Sequence, residues 1–181
     1  MVLPFACAAA LALVLLAAAP ARAEPPEAVP TLALEVANPR RTGRKILHFE
    51  DLVGPRARPV ARPVSALLIV ALAPGTRQAV GAELPTLAEA ARGIAAQGGL
   101  VVGLLMAGVT APDDPPIDAE AQPFVVVRDD YGLGKRRLGL VGPGQALVIR
   151  SDGRVAGLFG PGPGALARAV ETTQALLKEE R

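Results

Sequence analysis

The side chains that could carry chemistry in this chain are few and scattered. The 181 residues include one cysteine, Cys7, and one histidine, His48. A disulfide needs two thiols, and a zinc site of the usual kind needs several Cys or His ligands, so neither can be built within the chain. Cys7 lies in an apolar N-terminal run that reads as a removable leader, and its loss leaves no sulfhydryl. Met106 is the only methionine beyond Met1, and its thioether is not a nucleophile for thiol chemistry. His48 is expected as a partly buried strand residue. Ser65 and Ser151 are the only serines, one in an apolar run and one in a turn, so no serine–histidine–acid triad can be named. Asp113, Asp114, Asp118 and Glu120 suit calcium by their hard oxygens, but their spacing fits no calcium loop and points to a solvated loop. Asp129 and Asp130 beside Tyr131 could act as an acid pair or, more plainly, cap a helix. Gly132-Leu133-Gly134-Lys135 and Pro161-Gly162-Pro163-Gly164 lack phosphate-loop spacing and read as turns. No catalytic residue, metal ligand or cofactor is expected from these residues.

Basic residues gather in two places. Arg40, Arg41, Arg44, Lys45, Arg56, Arg58 and Arg62 are opposed locally only by Glu50 and Asp51, and Lys135-Arg136-Arg137 forms the second group. Together they could make a patch facing an anionic surface or ligand; separately they read as solvated surface. The formal net charge is only +2, and loss of Arg22 with the leader lowers it by one, so no strong global field is expected. Aromatic residues make up 3% and Trp is absent, which disfavours nucleic-acid modules that stack bases on rings.

Met1–Pro20 has no charged side chain, and Ala21-Arg22-Ala23 follows with small residues at the positions a signal peptidase reads. Residues 1–23 are therefore expected to be a signal peptide and residues 24–30 a Pro/Glu-rich linker. No Lys or Arg precedes the apolar run. An uncleaved membrane anchor is the alternative, because the run approaches the ~20 residues that span a bilayer. Residues 31–181 are expected to form one domain, periplasmic or secreted.

The elements that must position these side chains follow from patterning. Thr31–Ala37 alternates loosely and suits an edge strand, with a short second strand at Lys45–Phe49. Ser65–Ala73 is a continuous apolar run, as in a strand buried on both faces. Val80, Leu84, Leu87, Ala91 and Ile94 predict an amphipathic helix over 77–97, kinked at Pro85 and stopped by Gly98-Gly99. Leu100–Met106 is a second buried strand, and Gly108–Gln122 has no helical pattern. Phe124–Arg128 is a strand, and the stretch to Leu138 has room for a short helix. Gln145–Arg150 and Val155–Phe159 flank a tight turn at Ser151–Arg154. Ala165–Lys178 is a final helix. Strand, helix, strand through Met106 predicts a parallel unit, and the late hairpin adds an antiparallel pair. The expected class is α/β, a mixed sheet with helices on both faces.

This layout resembles the thioredoxin-like superfamily, in particular the exported redoxin and TlpA-type thiol–disulfide proteins, over roughly Thr31–Leu177. Two stretches carry the resemblance. Ala82-Glu83-Leu84-Pro85-Thr86-Leu87 is similar to the acidic, apolar and proline positions that follow the active-site cysteines on the family's first long helix. Ala146–Val155 is similar to the strand, Asp-Gly turn and strand that close its sheet. The resemblance places the two cysteine positions near Arg77 and Val80, which cannot exchange disulfides. It also places a cis-proline near Pro143, although Gly144 falls at the equivalent position. Gly108–Gln122 stands where many members carry a helix.

The resemblance and the missing thiols together imply an exported, redox-inactive domain that binds or scaffolds an unknown protein partner in the cell envelope. Arg77, Val80 and Pro143, on the former active-site face, are the candidate binding residues. The alternative is a redoxin-related protein that uses non-thiol chemistry or supports a redox enzyme, with Tyr131, Asp129 and Arg77 as its candidate cluster. A third version is the same binding domain tethered to the membrane.

Overall fold

A computed structural model describes residues 26–58, 64–76, 84–108 and 113–180. The expected signal peptide, residues 1–23, lies outside the described residues. The central element is β3, Ala66–Leu72, whose seven residues are all buried. A strand can be apolar at every position only if both faces are covered. Leu67, Ile69 and Ala71 point into one core layer, and Ala66, Leu68, Val70 and Leu72 into the other.

Around β3 lie β1 (Ala33–Val36), β2 (Ile46–His48), β4 (Leu100–Met106), β5 (Val125–Asp129), β6 (Ala146–Arg150) and β7 (Val155–Phe159), in the sheet order β2-β1-β5-β4-β3-β6-β7. β3, β4 and β5 run parallel, and the outer pairings are antiparallel. The chain is thus a mixed α/β sheet, as expected. One expectation is corrected: the first strand is not an edge, because β2 pairs on its outer side and takes the edge.

Helix α2 (Leu84–Ala96) buries Leu87, Ala91 and Ile94, and α4 (Ala165–Glu179) buries Leu166, Ala169, Leu176 and Leu177. Both pack on one face of the sheet. The buried Thr173 hydroxyl is satisfied by donating to the Ala169 carbonyl at 2.8 Å. A one-turn helix α1 (Pro39–Thr42) follows β1, and α3 (Leu133–Arg137) follows β5. The opposite face is closed by α3 and the segments around Phe49, Val53, Leu138 and Leu140.

At the end of α2, Gly98 adopts φ +89°, and the N–H of Gly99 returns to the Ile94 carbonyl at 3.0 Å. This is the glycine stop the sequence predicts. Pro85 sits in the first described turn of α2. The kink expected there falls at the junction with residues 77–83, outside the described residues. Residues 113–124 form turns and bends without a helix. The described part of the 24–30 segment lies extended against the β6–β7 hairpin: the Val29 N–H donates to the Gly153 carbonyl at 2.8 Å, and the Val155 N–H to the Glu27 carbonyl at 3.1 Å. Among the described residues, no helix is long and apolar enough to cross a membrane.

Candidate functional site

The parallel strands β3, β4 and β5 end on the same side of the sheet, and of the candidate binding residues Pro143 is the one the structure describes there. β3 runs out through Ala73-Pro74-Gly75-Thr76. Arg77 and Val80 follow directly and lie outside the described residues, as does Glu83. Pro143 stands exposed in the turn before β6. The N–H of Gly144 donates to the Ala71 carbonyl, and the N–H of Ala71 to the Gln145 carbonyl, both at 2.9 Å. The Pro143 turn is therefore fastened beside the end of β3, from which Arg77 and Val80 continue. Gln145, buried, accepts from the N–H groups of Val141 and Gly142 and holds that turn from below. No cis peptide bond occurs among the described residues, so the peptide before Pro143 is trans. Gly144, at the position equivalent to the family's cis-proline, has φ +80°. That left-handed conformation suits glycine.

The acidic loop closes the other side of this end. The N–H of Thr76 donates to the Pro115 carbonyl at 2.9 Å, and the N–H of Ile117 to the Pro74 carbonyl at 3.0 Å, with Gly75 bridged to Pro116. Asp114 is buried, and the Thr76 hydroxyl lies 3.4 Å from its Oδ1. Its carboxylate covers Gly75 so closely that a Cβ there would stand 2.1 Å from Oδ2. The loop expected as solvated is thus partly structural. Asp114 is interior, whereas Asp118 accepts from the N–H groups of Glu120 and Ala121 at the surface. Among the described residues, no three His, Cys, Asp or Glu side chains are grouped to hold a metal.

The carboxylate of Asp129 is buried and accepts from the N–H groups of Gly134 at 2.9 Å and Lys135 at 2.7 Å. It tethers the start of α3, the plainer of the two roles open to it. Asp130 is exposed while Asp129 is enclosed, so the two carboxylates do not form an acid pair, and Tyr131, which the alternative reading clusters with Asp129 and Arg77, is 89% exposed and turned to solvent. Arg77, the third member of that candidate cluster, lies outside the described residues.

His48 departs from expectation. It is exposed on the edge strand, with Nδ1 3.8 Å from Oε1 of Glu50. Glu50 ties this edge down by accepting from the Leu32 N–H at 3.1 Å. Burial alone would raise its carboxyl, but the N–H groups of Glu50 itself and Leu32, with His48 beside it, outweigh that and hold it below the ordinary value of 4.5.

Within the first basic group, Arg40 and Arg41 stand at the opposite end of β5 from Lys135-Arg136-Arg137. Asn38, which precedes Arg40 and Arg41, is pinned at the start of β5: its amide donates to the carbonyls of Phe124 and Ala119 and accepts from the Val126 N–H. Lys135-Arg136-Arg137 follows the far end of β5, roughly 17 Å along a five-residue strand. Arg41 donates to the Pro123 carbonyl and Arg44 pairs with Asp51 at 3.6 Å. The sequence reading missed Asn38 and Gln145 as site-building residues, and it placed Asp114 in a solvated loop rather than in the interior. Asn38 and Asp114 act on atoms far along the chain, a relation no local pattern encodes, and Gln145 closes a turn of irregular backbone three and four residues before it.

No protein-family model matches the chain, and no curated protein matches it by sequence. Solved structures do match by shape. MTB dsbF superposes at TM-score 0.55 with 16% identity, covering 84% of this chain and 99% of its own. A secreted Mycobacterium tuberculosis disulfide oxidoreductase homologous to E. coli DsbE gives 0.55 and 14%, covering 80% and 96%. Xanthomonas campestris peroxiredoxin Q gives 0.59 and 14%, covering 87% and 97%. At such identities the likeness establishes architecture, and function has to be argued from the site. The chain has the thioredoxin-like fold of DsbE-type and redoxin proteins, and its only cysteine, Cys7, lies far outside the positions where that fold carries its active pair.

Proposed function

We propose that this protein is an exported, redox-inactive thioredoxin-like module that binds or scaffolds a protein partner in the cell envelope. The observation that carries the reading is the pairing of an intact fold with Arg77 and Val80 at the expected cysteine positions and no cysteine after Cys7. Thiol–disulfide exchange requires a thiolate nucleophile, and neither arginine nor valine supplies one. What the fold retains at this end is a surface: the exposed Pro143 turn, the end of β3 and the acidic loop clamped to it. The partner docks there, against Arg77, Val80 and Pro143. Export is supported by the Ala21-Arg22-Ala23 site behind an apolar run. An intact mass starting at Glu24 is the expected result for protein recovered from its native host, and an uncleaved N-terminus contradicts it. Co-purification from envelope extracts tests the docking face. Wild-type protein is expected to retain partners that Arg77→Glu combined with Pro143→Arg releases. Retention of every partner by that variant rejects the site.

A further inference from the structure

Large apolar side chains left singly on a surface need no explanation, but a cluster of them does. Four stand exposed among the described residues, and three lie in one stretch: Tyr131 (89%), Leu133 (40%) and Val141 (50%). The same stretch, Tyr131–Val141, contains Lys135, Arg136 and Arg137 and no acidic residue. Among the described residues, none of these three cations has an ion-pair partner. The Arg136 guanidinium folds back to donate to the Tyr131 backbone carbonyl at 3.4 Å, which keeps its charge within this stretch. The Leu140 N–H donates to the Lys135 carbonyl at 2.9 Å, which returns Val141 alongside α3. Beneath this surface, Gly134, Leu138 and Leu140 are buried and Asp129 holds two helix N–H groups, so the platform is fixed before anything binds. The Asp129 carboxylate is enclosed and committed to those N–H groups, and, among the described residues, exposed Asp130, just before the stretch, is in no ion pair with the three cations. Val141 leads within two residues to Pro143.

We propose that Tyr131–Val141 is the docking surface for an acidic polypeptide segment with apolar anchors. The anchors seat on Tyr131, Leu133 and Val141, and the acidic groups pair with Lys135, Arg136 and Arg137. This rests on the docking reading above and names the partner's chemistry. A polypeptide fits better than an anionic membrane. Tyrosine and arginine are the side chains that dominate protein interfaces. A lipid-lying helix instead segregates a continuous apolar face that sinks about 5–10 Å into the bilayer. Here Leu133 and Val141 are half-sunk in the fold and lie on either side of the cations.

The test selects peptides from a random display library on the full chain, then measures labelled winners by fluorescence anisotropy. Winners are expected to combine Asp or Glu with aromatic or aliphatic residues and to weaken as salt rises. Lys135→Glu, Arg136→Glu and Arg137→Glu together are expected to weaken them about tenfold or more, as reversal of interface charges does. Tyr131→Ala, which removes only an exposed ring, is expected to weaken them without changing the thermal melt. Winners with no acidic bias, or affinities unmoved by the charge reversal, overturn the proposal. If such peptides still lose affinity on Pro143→Arg, the docking face of the preceding section survives without this partner chemistry. If the library yields no binder, both fall. Binding of phosphatidylglycerol vesicles in place of peptides, lost on the same charge reversal, assigns the surface to a membrane and overturns the proposal.

Discussion

Among the described residues, Glu50 is the side chain whose titration the structure perturbs, and its consequence is specific. Its folded-state carboxyl titrates below the ordinary value of 4.5, because the backbone N–H groups and His48 favour the charged form more than burial opposes it. A group depressed in this way contributes stability that is complete above its unfolded value and is lost as pH falls through its folded value. Wild-type protein should therefore be more stable than Glu50→Gln at pH 7, by about 1 kcal/mol or less for a partly exposed carboxylate. The difference should shrink as pH drops below about 4. Urea unfolding of both proteins across that range measures it, and a difference that stays constant with pH contradicts the assignment. His48, in contact with this group, is one side chain the sequence misplaces. Alternation in a short strand gives its facing, but whether a face is covered depends on what packs there.

Among the elements, the junction between the β3–α2 loop and the acidic loop is the most tightly specified. Gly75 is buried under the Asp114 carboxylate, and its φ is not in the left-handed region, so the constraint there is space rather than backbone conformation. Gly75→Ala should destabilise the fold by about 1–3 kcal/mol, the usual cost of forcing extra volume into a packed site. If the clash is with Asp114, adding Asp114→Ala should give a double variant less destabilised than the sum of the single ones. Additive denaturation energies place the strain elsewhere. This junction also marks how far the sequence could be read. Continuous apolar runs disclosed β3 and β4, and helical spacing disclosed α2 and α4, because those signals are local. The position of β1 inside the sheet was not readable, since its four residues cannot reveal that β2 will pair outside them. The junction itself joins residues some forty positions apart in a Pro- and Asp-rich stretch that has no periodicity.

In the molecule as a whole, the ends of the sheet have separate characters. The end bearing α1 is held by Asn38 and carries arginines engaged with Pro123 and Asp51. The end bearing α3, the Pro143 turn and the acidic loop collects exposed Tyr131, Leu133 and Val141 with three cations that make no ion pair among the described residues. The second end is where the family resemblance puts the cysteine pair, near Arg77 and Val80. The sequence placed Pro143 and the cysteine-equivalent positions at one site by resemblance. The Tyr131–Val141 platform was not assembled from the sequence, because exposure is settled only after packing has claimed Gly134, Leu138 and Leu140. The most direct measurement is a disulfide-reductase assay on the full chain carrying Cys7→Ser, with a dithiol donor and a protein disulfide substrate. The rate is expected to equal that of buffer alone, and catalysed reduction above that background would contradict a redox-inactive role.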